Sequence, residues 1–322
     1  MIKIGIVGYG NIGKGAVRAV EAASDMELVA VFTRRKQGLF DCGFDKYPFL
    51  AIEEAKNMID DIDVMLLCGG SAADLPEQTP YFASMFNTVD SYDNHAEIPG
   101  YIASIDAVAK DKVAIVSTGW DPGLFSMMRL LYESVLPDGS TYTFYGRGVS
   151  QGHSNAIRKV AGVIDAVQYT VPIESAVNEA RSGAAPVLEA RQRMMRECYV
   201  VVEPAAEKDA IESTIKTMPH YFSDYDTTVT FVDEHELREK HSKMSHGGLV
   251  LRSGNTDYNK HLMEFSLNLD SNPQFTANIM VAYARAAYRM SKEGAFGAKT
   301  VFDVPPVYLS ETDRDESIKN LL

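Results

Sequence analysis

Three glycines in Gly8-Tyr9-Gly10-Asn11-Ile12-Gly13 follow the spacing G-x-G-x-x-G and offer phosphate-binding chemistry. The first glycine permits a tight turn, the second lets a pyrophosphate approach the backbone, and the third lets helix and strand pack closely. The free N–H groups of a helix that starts here would face the phosphates. The next apolar run, Leu28 to Phe32, ends in Thr33-Arg34-Arg35-Lys36. An NAD-specific fold usually carries Asp or Glu at this point to bond the ribose 2′-hydroxyl. Arginine instead offers a planar fork that matches phosphate. Alone, a glycine turn binds nothing in particular and a basic turn is a solvated loop. Their succession points to NADP(H).

Carboxylates form the second chemical group. Asp90, Asp93 and Asp121 each follow a short apolar run, and near a hydride acceptor they suit an amine-bearing reacting centre. Farther along stand Gln151-Gly152-His153-Ser154, Thr170, Arg196 and His246-Gly247-Gly248. An arginine with Thr and His suits a remote carboxylate. Taken singly, each has a plainer reading. Strand-end aspartates cap turns and helices, His246 could be a turn residue, and Arg196 a surface charge. There is no G-x-S-x-G and no H-E-x-x-H, and the seven histidines and three cysteines show no metal-ligand spacing, so no metal is expected.

The elements that must position these residues follow two patterns. Ile2 to Val7 is β-branched and apolar, and Ile12, Ala16, Val17 and Val20 behind it lie on one helical stripe. Val64 to Cys68, Thr88 to Asp90 and Val113 to Val116 read as further strands, with helices over Pro76 to Phe86 and Gly100 to Ala109. Alternation of this kind predicts a doubly wound parallel sheet, whose ligands bind outside the carboxyl ends of the strands. The polar clusters fall at those ends. Beyond residue 121 the chain predicts strands at Tyr142 to Val149, Ala166 to Val171, Cys198 to Val202, Thr228 to Val232, Gly248 to Leu251 and Leu262 to Leu269. Helices are expected at Glu174 to Arg181 and Lys208 to Lys216. A long helical stripe returns near Gln274, with Gly294 as its stop, and is expected to pack on the first domain. The fold class is therefore α/β: a Rossmann-type domain from residues 1–120 plus about 273–322, and a largely antiparallel α+β domain from 121–272.

A net charge of −13 argues against nucleic acid and anionic membrane surfaces. No apolar run approaches a membrane span. The chain enters a strand at once, so no secretory leader is expected. The scattered cysteines Cys42, Cys68 and Cys198 suit a reducing cytoplasm.

Six segments in this order carry a resemblance: Gly8 to Gly13, Thr33-Arg34-Arg35, Val89-Asp90-Ser91-Tyr92-Asp93-Asn94-His95, Ser117-Thr118-Gly119-Trp120-Asp121-Pro122-Gly123, Ser150-Gln151-Gly152-His153-Ser154 and His246-Gly247-Gly248. Together they resemble the meso-diaminopimelate D-dehydrogenase family, from residue 1 to about residue 309. The S-T-G-W-D-P-G and S-Q-G-H-S segments are the most specific.

The resemblance implies NADP-dependent, reversible oxidative deamination of meso-2,6-diaminopimelate at its D-centre, giving ammonia and L-2-amino-6-oxopimelate, which cyclises to tetrahydrodipicolinate. It implies a homodimer whose second domain forms both substrate site and dimer contact. By resemblance Asp90 and Asp121 are catalytic and take the reacting amino group, and Gln151 and Gly152 hold the nearby carboxylate. Thr170, Arg196 and His246 hold the distal carboxylate, Asn272 its amino group, and Tyr145 flanks the pocket. Cofactor contacts are expected from Gly8, Tyr9, Gly10, Asn11, Ile12, Gly13, Thr33, Arg34 and Arg35. Further contacts are expected from Cys68, Gly69, Gly70, Ser71, Ser91, Tyr92, Asp93, Gly119, Trp120, Pro122 and Gly123. Tyr145 and Asn155 depart from the family pattern, which has Trp and Asp there, and this bears on tolerance of other D-amino acids. The competing readings are a broad D-amino-acid dehydrogenase, a sugar or dihydrodipicolinate reductase (against which the lack of an E-K-P motif counts), and a non-catalytic NADPH sensor.

Overall fold

The computed structural model describes residues 1–34 and 46–322. Arg35 and Cys42 lie outside the described residues. The chain forms two compact units, Met1–Met127 with Pro273–Leu322, and Met128–Asn272.

The first unit alternates as its sequence pattern demands. Strands β1 (Ile2–Val7) and β2 (Met26–Phe32) flank helix α1 (Asn11–Ala22), which buries Gly13, Gly15, Ala16, Val17 and Val20. After the short β3 (Phe49–Leu50) come β4 (Val64–Leu67), α2 (Leu75–Ala83), β5 (Asn87–Asp90), α3 (Ile98–Asp106) and β6 (Val113–Ile115). Every residue of β4 and β6 is buried, as befits strands covered on both faces. Helix α4 (Leu124–Val135), which the sequence reading did not assign, spans the point where the chain passes to the second unit.

The second unit contains two sheets. Strands β7 (Gly139–Tyr145) and β8 (Gly148–Val149) were expected as one strand. Gly146 has φ +109°, a conformation that breaks an extended run, and the two pieces join different sheets. They are followed by α5 (Gln151–Arg158), β9 (Val163–Pro172), α6 (Glu174–Arg181), α7 (Ala190–Arg193), β10 (Met194–Val202), α8 (Lys208–Lys216), β11 (Thr227–Phe231), α9 (Glu234–His241), β12 (His246–Thr256) and β13 (Asn259–Leu269). One sheet runs β11-β10-β9-β8 and the other β13-β12-β7. Pairing is antiparallel except between β10 and β11, where α8 supplies the crossover that a parallel pair needs.

The chain then returns to the first unit through α10 (Asn272–Lys292), β14 (Gly297–Lys299) and α11 (Arg314–Leu321). A side chain at Gly15 on α1 would stand 3.0 Å from Ala277 Cβ and 3.2 Å from Gln274 Cα, so small residues set the approach of the two helices. The completed sheet is β14-β6-β5-β4-β1-β2-β3, parallel throughout. Strand order reverses between β1 and β4, and the crevice at such a switch point is where dinucleotides bind.

Arg285 of α10 anchors this return. It is 3% exposed and grips Asp25 at 2.5 and 2.7 Å and Leu309 O at 2.8 Å. Arg285→Met is expected to lower the unfolding free energy by about 3 kcal/mol, the scale for removing one partner of a buried pair. Burial acts to raise the Asp25 pKa, but the hydrogen bond and charge of Arg285 prevail and hold it below its ordinary 3.8. A depressed carboxylate stabilises above its unfolded pKa and loses that contribution as pH falls through the folded value. Denaturant titrations should therefore show the gap between wild type and variant at neutral pH and its closure as pH falls below the ordinary 3.8 and through the lowered folded value. A pH-independent gap would assign Arg285 a packing role alone.

Candidate active site

The cofactor-domain candidates gather at the carboxyl ends of the parallel strands. Gly8 has φ +94°, and a Cβ there would lie 3.0 Å from Cys68 O, so the turn after β1 touches the loop after β4. A Cβ at Gly13 would overlap Gly8 O, whereas one at Gly10 would meet nothing within 4 Å. Gly10 is the N-cap of α1; no side chain caps this end and no acidic residue stands in the first turn. Open space before the N–H groups of a positive helix end fits an anion. Asn11 and Ile12 occupy that first turn, while Tyr9 is buried edge-on against Phe49 at 4.9 Å.

At the end of β2, Thr33 is buried and Arg34 is exposed. Arg34 pairs with Asp74 at 2.9 Å, and Asp74 accepts the Gly70 N–H at 2.8 Å. The basic turn is thus fixed to the Gly69-Gly70 loop. Ser71 Oγ accepts the Asp93 N–H at 2.9 Å, which links that loop to the one after β5. Burial pushes the Cys68 thiol up to about 12, so it is a neutral wall. These residues fit NADP(H): a glycine cradle for the pyrophosphate, and a cation without a carboxylate on the strand end that meets the ribose.

Asp90 departs from expectation. Its carboxyl group is fully buried, accepts Tyr92 N–H at 3.0 Å and Ser117 N–H at 2.9 Å on one oxygen, and has the other within 3.0 Å of Thr79 Oγ1 and 2.6 Å of Tyr101 Oη. A carboxyl group enclosed by four hydrogen-bond partners turns no oxygen toward open space, which counts against the expected contact with a substrate amine. The exposed carboxylate of that loop is Asp93, with Ser91 half-buried and Tyr92 stacked on Tyr101 at 4.0 Å. After β6, Gly123 at φ +129° closes a tight loop in which a Cβ would overlap Gly119 O, and Pro122 O comes within 3.1 Å of a Cβ at Gly119. The loop seats Trp120 against Phe125 at 5.3 Å and leaves Asp121 half-buried.

In the second unit, strand register gathers the distal-end candidates. Thr170 of β9 lies opposite Arg196 on one side and Gly148 on the other. A Cβ at Gly148 would stand 2.5 Å from the His246 ring, so only glycine lets that ring lie over the Thr170–Gly148 pair. Arg196 is 6% exposed, donates Nη1 to Thr170 Oγ1, and lies 3.8 Å over the Tyr225 ring. Its Nε is buried without a partner, and among the described residues no carboxylate pairs with it. Burial acts against its charge, and burial with the Arg196 charge holds His153 down to about 4, hence neutral. Burial also lowers His246. A desolvated guanidinium with one unmet donor is an anion site. Sequence reasoning missed Tyr225, since nothing in Asp224-Tyr225-Asp226 marks a ring that Arg196 will cover.

Gln151 and Gly152, read as a loop, form the first turn of α5, capped by Ser150 Oγ. Both are exposed, as is Asn155, which accepts from Arg158 at 2.7 Å. Tyr145 ends β7, half-buried, with its N–H on Met194 S at 3.4 Å. Asn272 opens α10, its N–H on Met244 O at 3.0 Å.

Residues 119–271 match the diaminopimelic acid dehydrogenase C-terminal domain. The meso-diaminopimelate D-dehydrogenase of Acetivibrio thermocellus is 56% identical over 100% of this chain and 98% of its own length. The chain belongs to the meso-diaminopimelate D-dehydrogenase family. Among solved structures, a mutant meso-DAPDH from Clostridium tetani with DAP is 51% identical, with a TM-score of 0.94 and 100% of both chains covered. An engineered D-amino acid dehydrogenase bound to NADP+ is 42% identical, with a TM-score of 0.87 over 100% of this chain and 99% of that one.

Proposed function

We propose that the chain catalyses NADP-dependent, reversible oxidative deamination of meso-2,6-diaminopimelate at its D-centre, with ammonia and L-2-amino-6-oxopimelate as products. The observation that carries this reading is Arg196, a buried guanidinium with no carboxylate of its own, held between Thr170 and the Tyr225 ring. It asks for an anionic far end on a substrate that reacts elsewhere.

The first unit is the dinucleotide-binding domain and the second the substrate and dimerisation domain. Gly8 to Gly13 and the α1 N–H groups hold the pyrophosphate, and Arg34, with Arg35, holds the 2′-phosphate. Cys68 to Ser71 line the cofactor on the neighbouring loop. When bound, NADP supplies the hydride acceptor. Thr170, Arg196 and His246 grip the distal carboxylate and Asn272 the distal amino group. Gln151 and Gly152 hold the carboxylate of the D-centre beside Tyr145. Asp93 and Asp121 take its nitrogen, accept the ammonium proton and favour the positive charge that grows as hydride leaves carbon and the C=N bond forms. Water then adds to that carbon and ammonia departs. Ammonia-dependent oxidation of NADPH with the oxo product is the reverse reaction.

A homodimer is supported by Leu130, Leu131 and Val135, which lie exposed on α4. We place the enzyme in the cytoplasm, in lysine and peptidoglycan precursor synthesis; among the described residues no helix is long and apolar enough to cross a membrane.

The test is NADP reduction with single diaminopimelate stereoisomers. The meso form should be oxidised and the LL form, which lacks a D-centre, should be inert. No reduction with the meso form would overturn the reading. Cofactor choice should follow Arg34: a charge-assisted bond is worth about 1.5–3 kcal/mol, so Arg34→Ala should weaken NADP about 10- to 150-fold and leave NAD nearly unaffected. An unchanged NADP-to-NAD preference in Arg34→Ala and in Arg35→Ala alike would remove both from the phosphate site.

A further inference from the structure

Asp90 is enclosed rather than open to the site, and its carboxyl group meets four hydrogen-bond partners. One oxygen, Oδ1, accepts two backbone N–H groups, Tyr92 at 3.0 Å and Ser117 at 2.9 Å. Those amides begin the two loops that carry Asp93 and Asp121. The other oxygen, Oδ2, meets Thr79 Oγ1 at 3.0 Å and Tyr101 Oη at 2.6 Å, and these two hydroxyls lie 2.5 Å from each other. Three oxygens thus form a closed triangle. With one hydrogen on each side the ring needs three, and the two hydroxyls bring two. A third on Asp90 completes the ring without sharing the Tyr101 hydrogen between two acceptors.

We infer that Asp90 is a positioning residue, an uncharged carboxylic acid whose carbonyl oxygen staples the Asp93 loop to the Asp121 loop while its hydroxyl closes a buried ring with Thr79 and Tyr101. The inference rests on the reading that Asp93 and Asp121 meet the reacting nitrogen. Complete burial works in the same direction: it raises the Asp90 pKa against the pull of its hydrogen bonds. The stacking of Tyr92 on Tyr101 at 4.0 Å adds a second brace to the same loop. An uncharged acid also adds no negative charge of its own beside Asp93 and Asp121 to compete for the substrate's ammonium.

Asparagine reproduces this staple. Its Oδ1 accepts the same two amides, and its Nδ2 donates to both hydroxyls. Leucine keeps the volume and removes every bond. Steady-state deamination of meso-diaminopimelate, NADPH titration by fluorescence and backbone amide exchange should be followed in wild type, Asp90→Asn and Asp90→Leu. In Asp90→Asn, kcat and KM should stay within about threefold, since a replacement that keeps each hydrogen bond loses little. In Asp90→Leu, exchange at Tyr92 and Ser117 should quicken about tenfold, the scale of one lost hydrogen bond. Its kcat should fall at least as far, because a small misplacement of reacting groups is costly, with NADPH affinity kept. If Asp90→Leu does not fold, Asp90→Asn decides. A loss in Asp90→Asn equal to that of Asp121→Asn would mean that the charge is required, and would overturn the inference. Full activity or unchanged exchange in Asp90→Leu would also overturn it. Full activity in Asp93→Asn and Asp121→Asn, with exchange still quickened in Asp90→Leu, would instead overturn the reading of the reacting end.

Discussion

Asp121→Asn is expected to fold, to bind NADPH as the wild type does, and to lose about a hundredfold in kcat, the scale of a lost catalytic carboxylate or proton acceptor. The α-nitrogen must shed a proton before hydride leaves, and positive charge then grows on it. A fixed carboxylate interacts more strongly with that developing charge than with the ground state, so its loss falls on turnover. The amide keeps the volume and part of the hydrogen bonding, and Gly119 and Gly123 close the loop through their backbone. Asp93→Asn should behave similarly, with a larger rise in KM because that residue is the more exposed. The measurement is steady-state deamination across the pH profile beside NADPH titration. Full turnover in both variants would move the reacting-end residues to the Gln151-Gly152 turn.

Arg196→Met should reverse the substrate profile. An Arg196 facing an apolar side chain must stay desolvated without a partner, which excludes monocarboxylic D-amino acids. Removing one member of a buried, hydrogen-bonded charge pair costs about 2–5 kcal/mol, so kcat/KM for meso-diaminopimelate should fall about 30- to 5000-fold. Activity on D-methionine and D-norleucine should rise, since methionine fills the slot over Tyr225 with apolar surface. Competing kcat/KM measurements on the three substrates decide it. An unaltered ranking would remove Arg196 from the site and leave its buried Nε unexplained.

Local patterns made the first unit legible. The G-x-G-x-x-G turn and the buried runs of β4 and β6 are short-range signals, and they form the turn and the covered strands expected of them. Asp90 and Asp93 show where such signals stop. They stand three residues apart in one loop, and nothing nearby says which will be enclosed. The answer comes from Thr79, Tyr101 and Ser117, brought in by α2, α3 and the end of β6. The same holds in the second unit. Composition marked the strands, but the left-handed Gly146 that splits β7 from β8, and the parallel register of β11 on β10, depend on partners remote in sequence. Arg196 suited a remote carboxylate but had a surface charge as its plainer reading, because only the fold buries it.

The helix α10 and strand β14 that complete the first unit have a consequence during synthesis. When residue 272 has left the ribosome, the second unit is whole, being continuous from Met128 to Asn272. The first unit, begun earlier, still lacks the edge strand β14 and the helix that Gly15 is shaped to receive. Nascent chains therefore carry an unfinished parallel sheet with an open edge beside β6, the sort of surface that pairs wrongly with other chains. The middle segment is complete before the first unit that encloses it in sequence. Removing residues beyond 272 would leave a chain unable to close its oldest segment, which makes this terminus a poor place to truncate.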